Sequence, residues 1–355
     1  MKKIFKNPIM LLFLAFTACS TTKEYTLMTL EPASVDLESN IKRIGIINES
    51  IVQEQKAYKN RIEQILSEKD AQLDKEGKKA AIAGLFDELL KDKRFDTIKI
   101  IAKIPAKLKS MGESSEGISW TKVEALCKEH NVDAIFSLSH YDTETQVSLR
   151  KKKIIQANML RVKEKVRGNE ITLETLIENG WRIYNPQNKQ VIDEVVFTEA
   201  FKSTAQGVNP VQALIAIEDR AKEVTVQSKN KGEAYGMRLL PSKTGVVRKY
   251  FIKGAVELGL AHSYVEAGEW ESAVKIWESL YSNEDLKVQS RAAYNLAFYE
   301  ELKGNLGGAL HLAKKAQRKQ ETKANQQYIN VLKERIEENE IVKQQLARTY
   351  FQEAY

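Results

Sequence analysis

The sequence predicts an α+β protein: a mixed-sheet α/β domain on the N-terminal side, followed by an all-α region. Two observations carry this. Between residues 41 and 205, short apolar strand patterns alternate with helical ones and then give way to long period-two stretches. In the last third, a set of small and apolar residues recurs at a 36-residue offset, with helical spacing inside each copy.

The first element is a leader. Lys2, Lys3 and Lys6 precede an eight-residue apolar run, Ile9 to Phe16, then Thr17-Ala18-Cys19. A cationic start, a short apolar run and small residues before a break form a secretory signal. The run is too short to span a bilayer, which needs about 20 apolar residues. Residues 1–18 are therefore expected to be removed, and residues 19–40, polar and without a clear period, to form a tether.

Lys42 to Ile47 reads as a strand, residues 53–92 as a helix with Leu85, Phe86, Leu89 and Leu90 on one face, and Thr97 to Ile101 as a second strand. Ser119 suits the cap of a helix running to about Glu129. Val132 to Ser139 is apolar enough for a central strand. Period-two stretches follow near 144–166 and 171–184, with a turn at Asn185-Pro186-Gln187-Asn188 and a return strand from Gln190 to Phe201. Residues 206–248 read as one helix, Pro210 to about Leu240, and a connecting loop around Pro241 and Gly245. Residues 249–355 read as helical throughout.

In that last region Gly304 lies 36 residues after Gly268. At the same offset Leu260 matches Leu296, Ala261 matches Ala297, Ala273 matches Ala309, Trp277 matches Ala313 and Leu280 matches Ala316. The glycines suit the left-handed turn between antiparallel helices, and the alanines suit close helix contact. Trp270 and Trp277 share a helix face and are expected in the core. Residues 322–348 read as a long charged helix that caps the stack.

Composition limits the partners. The formal charge of +7 includes the three leader lysines, leaving about +4 on the exported chain. Lys151-Lys152-Lys153 is the tight basic cluster and fits a solvated strand edge guarded against pairing. No basic stripe with interleaved aromatics is present, and nucleic acid is not an expected partner. Cys19 and Cys127 are the only two cysteines, too few for a disulfide framework, and Cys127 reads as a buried small hydrophobe.

Chemistry was sought among the remaining residues. His130, His140, His262 and His311 form no ligand pair at metal spacing, and Cys127-x-x-His130 has no matching half. No phosphate-binding glycine motif occurs. No cofactor, metal or catalytic residue is expected. Ser119-x-x-Lys122, Ser228-x-Asn230 and Lys243-Thr244-Gly245 match penicillin-binding-protein motifs in order. Only 15 residues separate the last two, too few for the intervening domain, so a serine hydrolase is the lesser alternative.

Several resemblances follow from these residues. Phe16-Thr17-Ala18-Cys19 resembles a bacterial lipobox, with Phe16 where Leu is usual. That resemblance implies acylation of Cys19, cleavage before it, and a permanent membrane anchor. Ser20 in place of an acidic residue implies the outer membrane, and the lack of an acidic run at Thr21–Tyr25 implies its periplasmic face. The Arg43–Ile47 strand, Asn131–Ser139 and the Trp181–Tyr184 hairpin are similar to α/β domains of envelope lipoproteins, such as the curli secretion-channel lipoprotein and penicillin-binding-protein activators. Tyr264, Gly268, Trp270, Ala273 and Trp277 resemble the tetratricopeptide repeat; the second copy keeps Gly304 but has Glu300 and Ala313 in place of the aromatics. The whole chain resembles a Bacteroidota-type lipoprotein family that joins these two parts and has no assigned reaction. What the resemblances imply is a non-enzymatic, lipid-anchored scaffold that binds envelope proteins or peptides through its repeats. The alternative within the binding class is a regulator of cell-wall synthesis or a secretion-channel component.

Overall fold

The computed structural model describes residues 20–50, 61–102, 113–114, 117–157 and 161–350. In chain order its strands are β1 (Thr22–Glu31), β2 (Arg43–Asn48), β3 (Thr97–Ile100), β4 (Glu113–Ser114), β5 (Gly117–Ile118), β6 (Ala134–Ala157), β7 (Lys163–Asn185), β8 (Gln190–Gly207) and β9 (Ser242–Phe251). The helices are α1 (Arg61–Leu89), α2 (Trp120–His130), α3 (Pro210–Ile215), α4 (Arg220–Met237), α5 (Val256–Glu266), α6 (Trp270–Tyr281), α7 (Leu286–Leu302), α8 (Leu306–Lys319) and α9 (Lys323–Tyr350). The α+β class expected from the sequence is what the chain adopts. Two compact units result: Glu31–Ser242 with the residues from Ile341 on, and the chain up to Leu30 with Lys243–Glu340.

The first unit is built on a five-stranded mixed sheet, ordered β3-β2-β6-β7-β8. β3, β2 and β6 run parallel, and β6, β7 and β8 antiparallel. Alternate residues of β2 and β6 feed opposite faces, as the two-residue strand period requires. Ile44, Ile46, Phe136 and Leu138 pack with Leu85, Leu89 and Tyr235 on one side. Ile47 and Ile135 pack with Val123, Leu126 and Cys127 on the other. Burial on both faces explains why β2 reads as a continuous apolar run. At the base, Asp133 accepts from the Lys42 and Arg43 amides at 3.0 and 2.8 Å and pairs with the Arg43 guanidinium, fixing where β2 meets β6. Ser119 caps α2 as expected, its hydroxyl accepting from the Lys122 amide.

β2 covers β6 only from Ala134 to Leu138. Beyond that, among the described residues, β6, β7 and β8 continue as a three-stranded arm; β8 ends opposite Asn169, and β6 and β7 alone form the solvated far end. Lys151, Lys152 and Lys153 stand on this arm, exposed, with Lys152 paired to Glu170.

α1 and α4 cross on the sheet with almost no side chain between them. A Cβ at Gly232 would lie 1.9 Å from the Ala81 carbonyl oxygen, and one at Gly84 would lie 2.1 Å from that of Lys229. The same approach buries a polar layer. Arg220 pairs with Asp70 and donates to Thr175 at 2.9 Å, while Thr143 donates to Asp74. Burial first, and then the neighbouring Asp142 carboxylate, pushes the Asp74 carboxyl up to about 6 against the Thr143 hydrogen bond.

The second unit begins with a correction. The segment expected as a tether holds β1, which pairs with β9, itself expected as a loop. The Ile252 amide donates to the Thr21 carbonyl at 3.0 Å, and Gly245 lies beside Thr26 and Met28, so the strands run antiparallel. Val35 and Leu37, also in the expected tether, are buried in the first unit's core. Polarity misled here: Thr and Tyr are strand formers, and a ribbon needs only alternate apolar positions such as Leu27. Helix therefore starts at Val256, not at residue 249. The single helix expected over Pro210–Leu240 is two, α3 and α4, separated at Ala216–Asp219.

α5/α6 and α7/α8 form two helical hairpins. Their turns hold Gly268 at φ +78° and Gly304 at φ +80°, with open space around both. Backbone sign alone demands glycine there. The turn bonds repeat at the same offset: Glu269 N–H to Tyr264 O at 2.8 Å and Asn305 N–H to Glu300 O at 2.9 Å. Between the hairpins and α9 lies a buried charge. The Glu301 carboxylate, fully enclosed, accepts from Arg248 Nε at 3.0 Å, from the Arg335 guanidinium, and from the Tyr328 hydroxyl at 2.7 Å.

Three outcomes follow for stability. Gly232→Ala forces α1 and α4 apart and should cost about 1–3 kcal/mol in urea unfolding of the first unit. Glu301→Gln leaves two half-buried guanidinium groups without their buried counter-charge and should cost about 3 kcal/mol of the second unit's stability, read from its own unfolding transition. Asp74 has a higher pKa folded than unfolded, so its neutral form favours folding below about pH 4, and that contribution is lost as pH rises through 6. Asp74→Asn should therefore raise stability at pH 7.5 by about 1 kcal/mol, discounted for partial exposure, and leave the urea midpoint at pH 4 unchanged.

Candidate functional site

The residues singled out as partner-binding or repeat core, Tyr264, Gly268, Trp270, Ala273, Trp277 and Gly304, gather in the helical unit, and most serve its core. Ala273 and Trp277 are fully buried, and the Trp277 indole nitrogen has no hydrogen-bond partner. Trp270 is half-buried, its ring 5.2 Å from that of Tyr25 and stacked on Tyr299 at 6.0 Å. Tyr264 packs against the same cluster. Gly268 and Gly304 shape the two turns. Leu260, matched in sequence to the nearly buried Leu296, is 51% exposed. The repeat is thus a repeat of packing geometry, and none of its aromatics forms an open platform.

The surface of α7 shows why. In a stack of helical hairpins, α5 and α7 would present one continuous face. Here the β1–β9 ribbon lies on it. Asn295, buried on α7, donates Nδ2–H to the Phe251 carbonyl at 2.8 Å and accepts from the Phe251 amide at 2.7 Å. Tyr250 stacks flat on Phe298, with ring centres 5.5 Å apart, and its hydroxyl meets His262 Nδ1 at 2.7 Å. One side-chain amide thereby satisfies both main-chain groups of a residue in an extended strand. This arrangement recognises backbone rather than sequence, and the chain supplies its own strand. Burial around α7 on all sides, from Val288 to Glu301, follows from this cover.

What remains open is the ribbon's outer side. Met28 is 64% and Val247 54% exposed, and Leu30 is also exposed, whereas Tyr25 and Leu27 turn inward. Each strand of the ribbon has one ladder partner among the described residues, and the second edge of β9 is held at Phe251 by Asn295. Neither feature was legible in the sequence, because this stretch reads as tether and loop.

The first unit holds two features that sequence spacing does not bring together, a polar cluster and a cavity. Glu49, just past β2, accepts from Ser137 at 2.8 Å and from the Tyr184 hydroxyl at 3.1 Å, and Arg182 joins Tyr184 at 3.3 Å. Burial first raises the Tyr184 hydroxyl above the ordinary tyrosine range. The cluster stands where the connections from β2 lead to β3 on one side and, onward, to β6 on the other, the place where open α/β sheets hold ligands. The second is a cavity of about 300 Å³ walled by Leu73, Leu173, Leu214 and Ile217, with Arg220 at its base.

The serine motifs do not assemble along the sequence order. Ser119 is a helix cap. Ser228 lies on α4, fully buried and hydrogen-bonded to the Tyr141 hydroxyl at 2.7 Å. Lys243 belongs to β9. Cys127 is buried and unpaired, its thiol pushed up to about 12 by burial, as a small core residue would be. His140 meets Glu178 and His262 meets Tyr250. Among the described residues no three metal-ligating side chains come together, and no helix is long and apolar enough to cross a membrane. Cys19 lies outside the described residues.

Comparison with known proteins gives two family matches. The model described as Domain of unknown function (DUF8603) matches residues 41–251, and that described as Domain of unknown function (DUF6340) matches residues 260–335. No curated protein matches the chain. Among solved structures, a protein from Helicobacter pylori described as a neuraminyllactose-binding hemagglutinin homolog aligns at 13% identity, covering 57% of this chain and 95% of its own, with a TM-score of 0.22. The first family match spans the sheet unit through β9 and more than half of the sequence, and the chain belongs to the family of the Domain of unknown function (DUF8603).

Proposed function

We propose that this protein is a lipid-anchored component of the bacterial cell envelope, of the Bacteroidota lipoprotein type, acylated at Cys19 and held on the periplasmic face of the outer membrane. There it acts as a non-enzymatic scaffold that binds envelope proteins or peptides. The leader sequence supports the location. The binding role rests on one observation: a helical-hairpin layer already grips an extended strand by its main chain, through Asn295 and Phe251, and the strand ribbon so held exposes Met28, Leu30 and Val247 on its outer side. An extended partner segment adding to such an edge gains main-chain hydrogen bonds and apolar contact together. Lipid attachment confines the site to two dimensions and raises its effective concentration towards other envelope proteins.

Two measurements test this. Cys19→Ala should shift the protein from the membrane to the soluble fraction and abolish incorporation of labelled palmitate; retention on the membrane without the label would defeat the anchor. Crosslinking in intact envelopes, followed by mass spectrometry, should recover a defined partner. A cell-wall synthase would specify a regulator, and a ring of this chain itself a channel component. Met28→Asp combined with Val247→Asp should lower that recovery at least about fivefold without moving the thermal midpoint, since both side chains are largely exposed. Undiminished recovery would show that the ribbon is not the docking surface.

A further inference from the structure

The start of β1 fixes more than a strand. Between Cys19 and Thr22 stand only Ser20 and Thr21, which reach at most about 11 Å. If Cys19 carries acyl chains, as proposed above, the helical unit has no spacer from the bilayer, and the end of the unit beside Thr21 must face it.

That end can be traced residue by residue. Thr21 O accepts from Ile252 N at 3.0 Å. Two residues on, Gly254 abuts the Arg291 guanidinium, which donates to the Lys253 carbonyl. Arg291 sits little more than one turn after Leu286, the first residue of α7. α5 also starts here, at Val256, while α6 and α8 end here, since the turns at Gly268 and Gly304 form the opposite end. Lys315 and Lys319 of α8 lie over the Tyr281 ring at the end of α6, 5.8 and 5.9 Å from its centre.

The chemistry of this end fits a membrane surface. Val256 is 89% and Leu286 55% exposed, at helix starts where nothing in the fold requires an apolar side chain. The α8–α9 turn, Lys314 to Lys323, carries five cations against the single acid Glu321. Glu257, Glu284 and Asp285 stand nearby, but Asp285 is turned onto the Lys287 amide as the α7 cap, at 2.7 Å. Isolated apolar tips among lysines are the pattern of surfaces that dip into the headgroup layer and meet lipid phosphates.

We infer that the end of the helical unit formed by the starts of α5 and α7 and the α8–α9 turn is a membrane-docking surface for anionic lipid, with Val256 and Leu286 entering the headgroup region. The anchor then orients the unit rather than merely retaining it, and points the turns at Gly268 and Gly304 away from the bilayer.

The test uses the full acylated protein in vesicles of phosphatidylethanolamine and phosphatidylglycerol. Val256→Cys and, as the control at the far end, Glu269→Cys are each labelled with a polarity-sensitive fluorophore; buried Cys127 does not compete. The probe at 256 should shift to the blue and lose quenching by aqueous iodide, and the probe at 269 should do neither. Equal, solvent-like signals at both positions would overturn the inference. In parallel, the unacylated Cys19→Ser chain should bind the same vesicles weakly and salt-sensitively, and Lys315→Glu with Lys319→Glu should reduce that binding about tenfold. Binding unchanged by these substitutions would also overturn it. Failure of the wild-type protein to acquire acyl chains would instead remove the lipid anchor on which the orientation rests.

Discussion

Pairing between β1 and β9 is the interaction on which the helical unit depends. The strands are far apart in the sequence, Thr22–Glu31 against Ser242–Phe251, and form a two-stranded ladder. Yet it carries Tyr25, Leu27 and Tyr250 onto helices that would otherwise expose Phe298 and Trp270. Two helical hairpins bury too little to stand alone, because such repeats gain stability from stacked neighbours. The ribbon serves as one neighbour and α9 as the other. The anchoring points are few and specific: the Asn295 amide on Phe251, and the Glu301 carboxylate between Arg248 of β9 and Arg335 of α9. Glu301 thereby joins ribbon, hairpin and capping helix through one buried charge.

The sheet unit follows a different logic. β2 and the start of β6, Ala134–Leu138, are buried on both faces, and α1 and α4 close one face by direct backbone approach at Gly84 and Gly232. The closeness leaves room for Trp181 and Tyr235 to stack at 5.2 Å beneath. It also forces a layer of polar side chains around Asp70, Asp74 and Arg220 into the interior, where Arg220 matches one carboxylate and Thr143 steadies the other. Asp74 is left with a raised proton affinity, which makes this layer the titrating part of the fold.

Both units place their chemistry at ends and edges. The polar cluster at Glu49, the ribbon edge and the basic end near Lys319 all lie where regular structure stops. Such positions are free of packing demands and are available for recognition. In the helical unit, apolar tips without a packing role, Val256 and Leu286, gather at the end beside Thr21.

Long periodic elements were legible in the sequence: β2, α2 with its Ser119 cap, the hairpin turn before Gln190, and the helices from Val256 on. Each is a local matter of period, capping and glycine placement. The 36-residue offset also announced the turns at Gly268 and Gly304, since only a left-handed backbone explains glycine there. What the sequence could not express was pairing at a distance. Thr22–Leu30 and Ser242–Phe251 look polar and irregular one at a time, and become a ribbon only when each supplies the other's hydrogen bonds. The same holds for Ser228, which reads as a surface serine until Tyr141 covers it, and for Trp270, whose role was set by Tyr25 from the far end of the chain. Local pattern determined which segments fold; burial and main-chain satisfaction across the chain decided which surfaces they leave exposed.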